Sequence, residues 1–388
     1  MTDLHTTRAI LSDLIAFDTT SVLPNRHCID HLATKLEEAG ARVEIFEDET
    51  GKKANLWATI GPEGDGGIVL SGHTDVVPVA DQDWTSDPFE LVERDGKLFG
   101  RGTCDMKAFI AAAVAMAPEY ARHATHRPVH FAFTYDEETG CLGGQALVEV
   151  LRERGLRPSI GIVGEPTEMR IIEGHKGCYE YTTHFHGSEG HGSAPDLGVN
   201  AVEYAVRFIS KLLELKDALK TKAPEDSRFD PPWTTINTGS LIGGVAHNVI
   251  PGKATVQWEM RPVQVSDADF VKGELATHVE HLNEQMKAVH PDAGVHTHTI
   301  AEVVGLELMA ENAARDLITE LTGANGCDVV PFGTEAGLFQ SIGMDVVVCG
   351  PGSIAQAHKP DEYISLDQLD QCLTMLKRLS SRLSMPRP

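Results

Sequence analysis

Apolar residues recur along this chain with two different periods. From about Thr6 to Ala16, Ile10, Leu11, Leu14 and Ile15 share one helical face. From Arg26 to Ala39, Ile29, Leu32 and Leu36 do the same, and Gly40 stands where a helix would end. Short apolar runs in "ARVEIFED", "NLWATIG" and "GIVLSG" then predict strands, and "RDGK" at 94–97 predicts a hairpin turn. An Ala-rich helix is predicted to start near Asp105. It is followed by a strand in "VHFAFTYDEETG" (129–140), a helix at 143–154, and strands in "SIGIVGEP" and "RIIEGHKG". Such alternation predicts an α/β domain with a mostly parallel, buried sheet.

Near Cys178 the texture changes. The strand "CYEYTTHFHG" leads through a Gly/Ser-rich turn to a long helix from Asn200 to Lys220, on which Val202, Val206, Ile209 and Leu213 align. Strands in "TTINTGSLIGG" and "KATVQWEMRP", a helix through Leu282 to Val289 and a strand in "VHTHTIAEVV" follow. Two helices on a small antiparallel sheet predict an α+β domain, 178–304, inserted into a discontinuous catalytic domain of 1–177 and 305–388. The first texture returns in the helix "NAARDLITELTG", the strand "MDVVVCGPG" and a last helix from Leu366 to Leu383.

At 388 residues, 41% hydrophobic and 23% charged, the chain reads as an ordinary soluble globular protein with room for two domains. No apolar run approaches the ~20 residues of a membrane helix. The first residues, "MTDLHTTRAILSDLIAFDTT", have no secretory pattern. Seven cysteines form no C-x-x-C pair, which gives no disulfide or zinc-finger framework. A cytoplasmic protein with no membrane association is expected. The net charge of −24 argues against nucleic-acid partners, because phosphates are met by Lys and Arg.

Charged residues gather at the ends of the predicted strands. His73 and Asp75 close "IVLSGHTD", and their spacing of two puts them on one face of an extended chain. Asp105 follows "GRGTC", Glu137 and Glu138 close "HFAFTYDEE", Glu165 closes "IVGE", and His358 lies beyond "VVVCGPG". Open α/β sheets collect ligand sites at these strand ends. Taken singly, each acid also fits a solvated turn or a helix N-cap, and His358 a surface position. Taken together they supply a full ligand set for two divalent cations of the Zn²⁺, Co²⁺ or Mn²⁺ type. Asp105 bridges, His73 and Glu165 serve one ion, and Glu138 and His358 serve the other. Glu137 is then left over as a general base, and Asp75 as the partner of the second His73 ring nitrogen.

These residues carry a resemblance. "SGHTDVVP", "GRGTCDMK", "DEETG", "GEPT", "GHGSAPDLGVNA" and the His358 stretch occur in order. In this the chain resembles the dinuclear zinc-dependent deacylase and exopeptidase family that includes succinyl-diaminopimelate desuccinylase, aminoacylase and glutamate carboxypeptidase. The resemblance implies a zinc-peptidase-like catalytic domain with an inserted lid and dimerisation domain. It also implies a homodimer, two Zn²⁺ or Co²⁺ ions per subunit, and hydrolysis of a small N-acyl amino acid. "GTEAGLFQ", "EGHKG" and "WTSDPFELVERDGKLFGRGT" resemble the subgroup that removes acetate from N2-acetyl-L-ornithine to supply arginine synthesis. His191 in "GHGSAP" matches the histidine that helps hold the oxyanion in a partner's site. Asn248 and Arg261 match positions that hold the substrate amide and carboxylate. Glu335 is the subgroup's distinguishing acid and is expected to meet a substrate amine. A cis peptide is implied after Asp105. Cys104, beside the bridging acid, reads as a small buried filler rather than a ligand.

Overall fold

Eight strands form the larger sheet, in the order Arg42–Glu47, Ala54–Ile60, Val129–Thr134, Ile68–His73, Ile160–Pro166, Asp345–Gly350, Ile171–His175 and Cys327–Val330. The computed structural model describes residues 2–385. The four strands from Val129–Thr134 to Asp345–Gly350 are parallel, and the strands flanking them on either side run antiparallel, so the sheet is mixed around a parallel centre. Those four strands are apolar along nearly their whole length because helices cover both faces. The helix Lys107–His123 packs so closely that Phe109 lies over Gly164, where an added Cβ would stand 1.9 Å from the ring. The glycine before Glu165 is therefore a packing requirement.

Most elements fall where periodicity placed them, including Leu366–Leu383 at both ends. The Asp95–Gly96 turn joins Val92–Arg94 to Lys97–Phe99, with both turn residues at positive φ. Asp105–Met106 is a cis peptide. The short helix Ala336–Gln340 and the edge strand Cys327–Val330 have no counterpart in the predicted elements.

The chain divides into two compact units. One comprises residues up to Gly174, Leu308–Val329 and residues from Thr334 onward; the other comprises His175–Glu307 and Val330–Gly333. The second contains a four-stranded antiparallel sheet, ordered Thr235–Gly243, Lys253–Arg261, Cys178–His186 and Gly294–Val303. The helices Ala201–Lys220 and Val265–Val289 share its apolar core. On the first of these, Ala205, Phe208, Leu212, Leu215 and Leu219 point inward and Val202 and Ile209 pack at the margin, whereas Val206 and Leu213 are half exposed. The helix carries two apolar stripes, and the bulk of Phe208 and three leucines decides which one the sheet covers.

Candidate metal centre

In the first unit the strand ends converge as the acid pattern suggested. His73, 1% exposed, directs Nε2 to Asp105 Oδ1 at 3.1 Å and to Glu165 Oε1 at 3.7 Å. The other Asp105 oxygen, Oδ2, stands 3.4 Å from His358 Nε2, which is also 3.1 Å from Glu138. One carboxylate thus presents one oxygen to each of two imidazoles. Glu137 offers an oxygen within 4.8 Å of the His73 and Glu165 donor atoms.

The turn that delivers two of these acids explains why three acidic residues stand in a row. Asp136 adopts a left-handed conformation, φ 54°, which Asp tolerates better than most residues. It pairs with Lys53 and turns the chain out of its strand into the single helical turn Glu137–Thr139. Asp136 is therefore the turn former, and Glu137 and Glu138 are the acids delivered to the site. Asp75 anchors the turn from below: its carboxylate accepts the backbone N–H groups of Glu137 at 3.0 Å and Glu138 at 3.3 Å, and the Ser21 hydroxyl at 2.7 Å. It does so beside its expected partner: His73 Nδ1 donates to the Asp75 main-chain carbonyl at 2.9 Å, with the Asp75 carboxylate 3.5 Å away.

The electrostatics are those of a cluster in need of positive charge. Burial, with the neighbouring charges of Glu138, Asp75 and Asp105, pushes Glu137 up to about 8. Burial and Asp105 likewise push Glu165 well above the usual carboxylate range. Hydrogen bonds to Asp105 and Glu138 raise His358 to about 10. Burial works against a charged His73, yet Asp105, Asp75 and Glu165 raise it well above its ordinary value. Glu165 Oε1 is buried with no hydrogen-bond partner, a costly state for a carboxylate oxygen unless a cation meets it. Imidazole and carboxylate donors around such orphaned oxygens fit divalent cations of the borderline-hard class.

The remaining expected residues lie elsewhere. Glu335 is 1% exposed, and its two oxygens accept the Ser71 hydroxyl at 2.6 Å and the Thr134 hydroxyl at 2.8 Å, so it fastens two strand ends from beneath. Burial raises its pKa. His191 and Asn248 are neighbours in the second unit: Gly190–His191 pairs with Val249–Ile250, and the Gly192 N–H donates to the Asn248 carbonyl at 2.8 Å. Both are exposed. Arg261 is half buried, and its guanidinium is engaged by Glu259 at 2.7 Å, with Glu180 at 3.7 Å. A carboxylate gripped there would compete with that pair. The Cys104 thiol donates to the Ser353 carbonyl at 3.3 Å and supplies no ligand.

Two supports had no sequence signal. The Cys141 thiol approaches Glu137 Oε1 at 3.5 Å. Glu362, 1% exposed, accepts the backbone N–H groups of Gly102, Cys104 and Asp105, together with the Arg101 guanidinium. Only the folded chain brings Glu362 to the loop that carries Asp105.

Comparison with known proteins agrees with this architecture. A model of peptidase family M20/M25/M40 matches residues 69–382. An acetylornithine deacetylase of Myxococcus xanthus is 38% identical over 96% of both chains. One from Pasteurella multocida is 34% identical over 92% of this chain and 90% of its own. Among solved structures, an M20-family metallo-carboxypeptidase of Sulfolobus solfataricus superposes with a TM-score of 0.74 at 16% identity, covering 97% of this chain and 99% of the other. A dinuclear metal-binding M20 peptidase of Bacillus subtilis superposes at 0.64 with 17% identity, covering 98% of each chain.

Proposed function

The chain belongs to peptidase family M20/M25/M40, and from that premise we propose that it hydrolyses the acetyl amide of N2-acetyl-L-ornithine, releasing acetate and L-ornithine. The observation that carries the reaction type is the Asp105 carboxylate, set between His73 and His358 with Glu137 beside it. The substrate assignment rests on relatives that are named acetylornithine deacetylases and align over nearly the whole chain. The product suits ornithine supply for arginine synthesis in the cytoplasm. No helix among the described residues is long and apolar enough to cross a membrane.

His73, Asp105 and Glu165 would hold one divalent cation, and Asp105, Glu138 and His358 a second, either Zn²⁺ or Co²⁺. Bound there, such cations supply Lewis acidity toward the acyl oxygen and make water more acidic. The chain's own residues do the rest. Glu137 takes a proton from the attacking water and returns it to the departing ornithine nitrogen. Its raised pKa in the cation-free site comes from burial and surrounding carboxylates, so positive charge nearby would return it to the basic form. Asp75 keeps the turn, and with it Glu137, in place.

The same reading gives the second unit to substrate contact and to pairing with a second copy. His191 would aid the oxyanion, and Asn248 and Arg261 would hold the amide and carboxylate. The exposed apolar residues Val206, Leu213, Leu241 and Ile242 support a partnered surface. The deciding experiment compares acetate or acyl release from N2-acetylornithine, succinyl-diaminopimelate and N-acetylmethionine, with Zn²⁺-loaded, Co²⁺-loaded and chelated protein. N2-acetylornithine should lead in kcat/KM, and chelation should abolish turnover. A lead by either other substrate would refute the assignment.

A further inference from the structure

Among the site's ligand candidates, His358 has the weakest local support. His73, Glu138 and Glu165 stand at or just beyond the ends of buried strands, whereas His358 lies in the loop that follows Asp345–Gly350. Its side chain is 53% exposed and its backbone is left-handed, φ 62°. A non-glycine residue is uncommon in that region and needs its surroundings to hold it there. Something must fix it.

The fixing group is a carboxamide. Gln82 Nε2 donates to the His358 carbonyl at 2.9 Å. The orientation of that amide is itself determined, because Gln82 Oε1 accepts from Arg101 at 2.6 Å and from the Trp84 indole N–H at 3.1 Å. With two donors on the oxygen, the amide NH₂ must face His358. The Arg101 guanidinium lies 5.0 Å over the Trp84 ring, donates to the Lys359 carbonyl at 3.3 Å and pairs with Glu362 at 2.6 Å. Glu362 in turn holds the Asp105 backbone N–H at 3.0 Å. A single buried arginine thus joins the loop of His358 to the loop of Asp105, and Gln82 is its reach to the His358 backbone.

We propose that Gln82, oriented by Arg101 and Trp84, is a positioning residue that holds His358 in its ligand pose. It would thereby set the affinity of the cation shared by Asp105, Glu138 and His358 without touching that cation. The proposal rests on the two-cation reading above. It predicts asymmetry: loss of the Gln82 contact should weaken one cation and spare the one held by His73 and Glu165.

The test is calorimetric titration of the cation-free full chain with Zn²⁺, and separately with Co²⁺. Wild type should take up two equivalents, and His358→Ala identifies the event that depends on His358. Gln82→Met keeps length but removes the donor; it should weaken that same event by about 10–100-fold and leave the other unchanged. Gln82→Glu keeps the acceptor for Arg101 but turns an oxygen toward the His358 carbonyl, and should lose at least as much. Trp84→Phe keeps the ring under Arg101 and removes only the N–H, so a smaller weakening of the same event is expected. The melting temperature of each cation-free variant should stay close to that of wild type. Unchanged binding in Gln82→Met, or equal weakening of both events, overturns the role of Gln82. Uptake of fewer than two equivalents by wild type overturns the two-cation reading, and this proposal with it.

Discussion

The Asp75 carboxylate accepts the backbone N–H of Glu137 at 3.0 Å, across 62 residues of chain. The Ser21 hydroxyl and the Glu138 N–H complete its set of donors, and hydrogen bonds with charge from His73 hold its pKa low although burial opposes this. Asp75 therefore acts on the acids through their backbone as much as on His73. Asp75→Asn puts an NH₂ where one of those donors now points. We expect kcat to fall by about 10–100-fold with KM much less affected. Steady-state kinetics on the loaded enzyme, with cation content measured alongside, will check this. An unchanged kcat would remove the anchoring role.

Glu137 can be told apart from a ligand. It stands within ligand reach of His73 and Glu165, so geometry alone allows either role. Glu137→Gln keeps the shape but cannot accept a proton. If Glu137 is the base, the variant retains two cations by elemental analysis and loses roughly 10²–10⁴-fold in kcat. Loss of one cation equivalent would make it a ligand instead.

The parts of this site that could be read in the sequence are those written by local rules. Buried strands such as Ile68–His73 and Val129–Thr134 end abruptly in charged residues, and alternation fixes which end carries them. What could not be read depends on tertiary cover. The stripe of Ala201–Lys220 that faces inward is chosen by the sheet it meets, which leaves the aligned Val206 and Leu213 half exposed. Asp75 was expected on an imidazole because spacing relates it to His73; that its carboxylate spends three hydrogen bonds on Ser21, Glu137 and Glu138 follows only from chain return. Arg101 and Glu362, 261 residues apart, are invisible as a pair until the chain has folded.

Glu335 gives a prediction opposite to its expected role. Its carboxylate is engaged by Ser71 and Thr134 in a buried setting, so Glu335→Ala strands two hydroxyls. That should cost about 1–3 kcal/mol in unfolding free energy, read by denaturant titration. The ranking among N-acyl amino acids should not change. A reordered ranking with unchanged stability would restore a substrate-contacting role.

Cation binding and pH are linked with a definite sign. In the cation-free chain Glu137 is raised from 4.5 to about 8 and His358 from 6.5 to about 10, with His73 and Glu165 shifted the same way. Each of these groups binds its proton more tightly folded than unfolded, so each contributes stability that is fully present below its unfolded value and is lost as pH rises through its folded value. Buried His130 and His175, lowered to about 4, have the opposite sign, but their effect lies between 4 and 6.5. Above about pH 6.5, therefore, these four site groups should draw stability from the cation-free protein as pH rises, while Lys107 and Lys176, lowered by burial, act the other way. Cations require deprotonated ligands, so their binding should release protons and tighten over the same range, by about tenfold per pH unit for each proton displaced. The melting-temperature gain on adding Zn²⁺ should accordingly be larger at pH 9 than at pH 6.5. Calorimetry in buffers of different ionisation enthalpy will count the protons. A count of zero near pH 7, or a gain that shrinks with pH, would mean that these imidazoles and carboxyls do not share their protons with the cations.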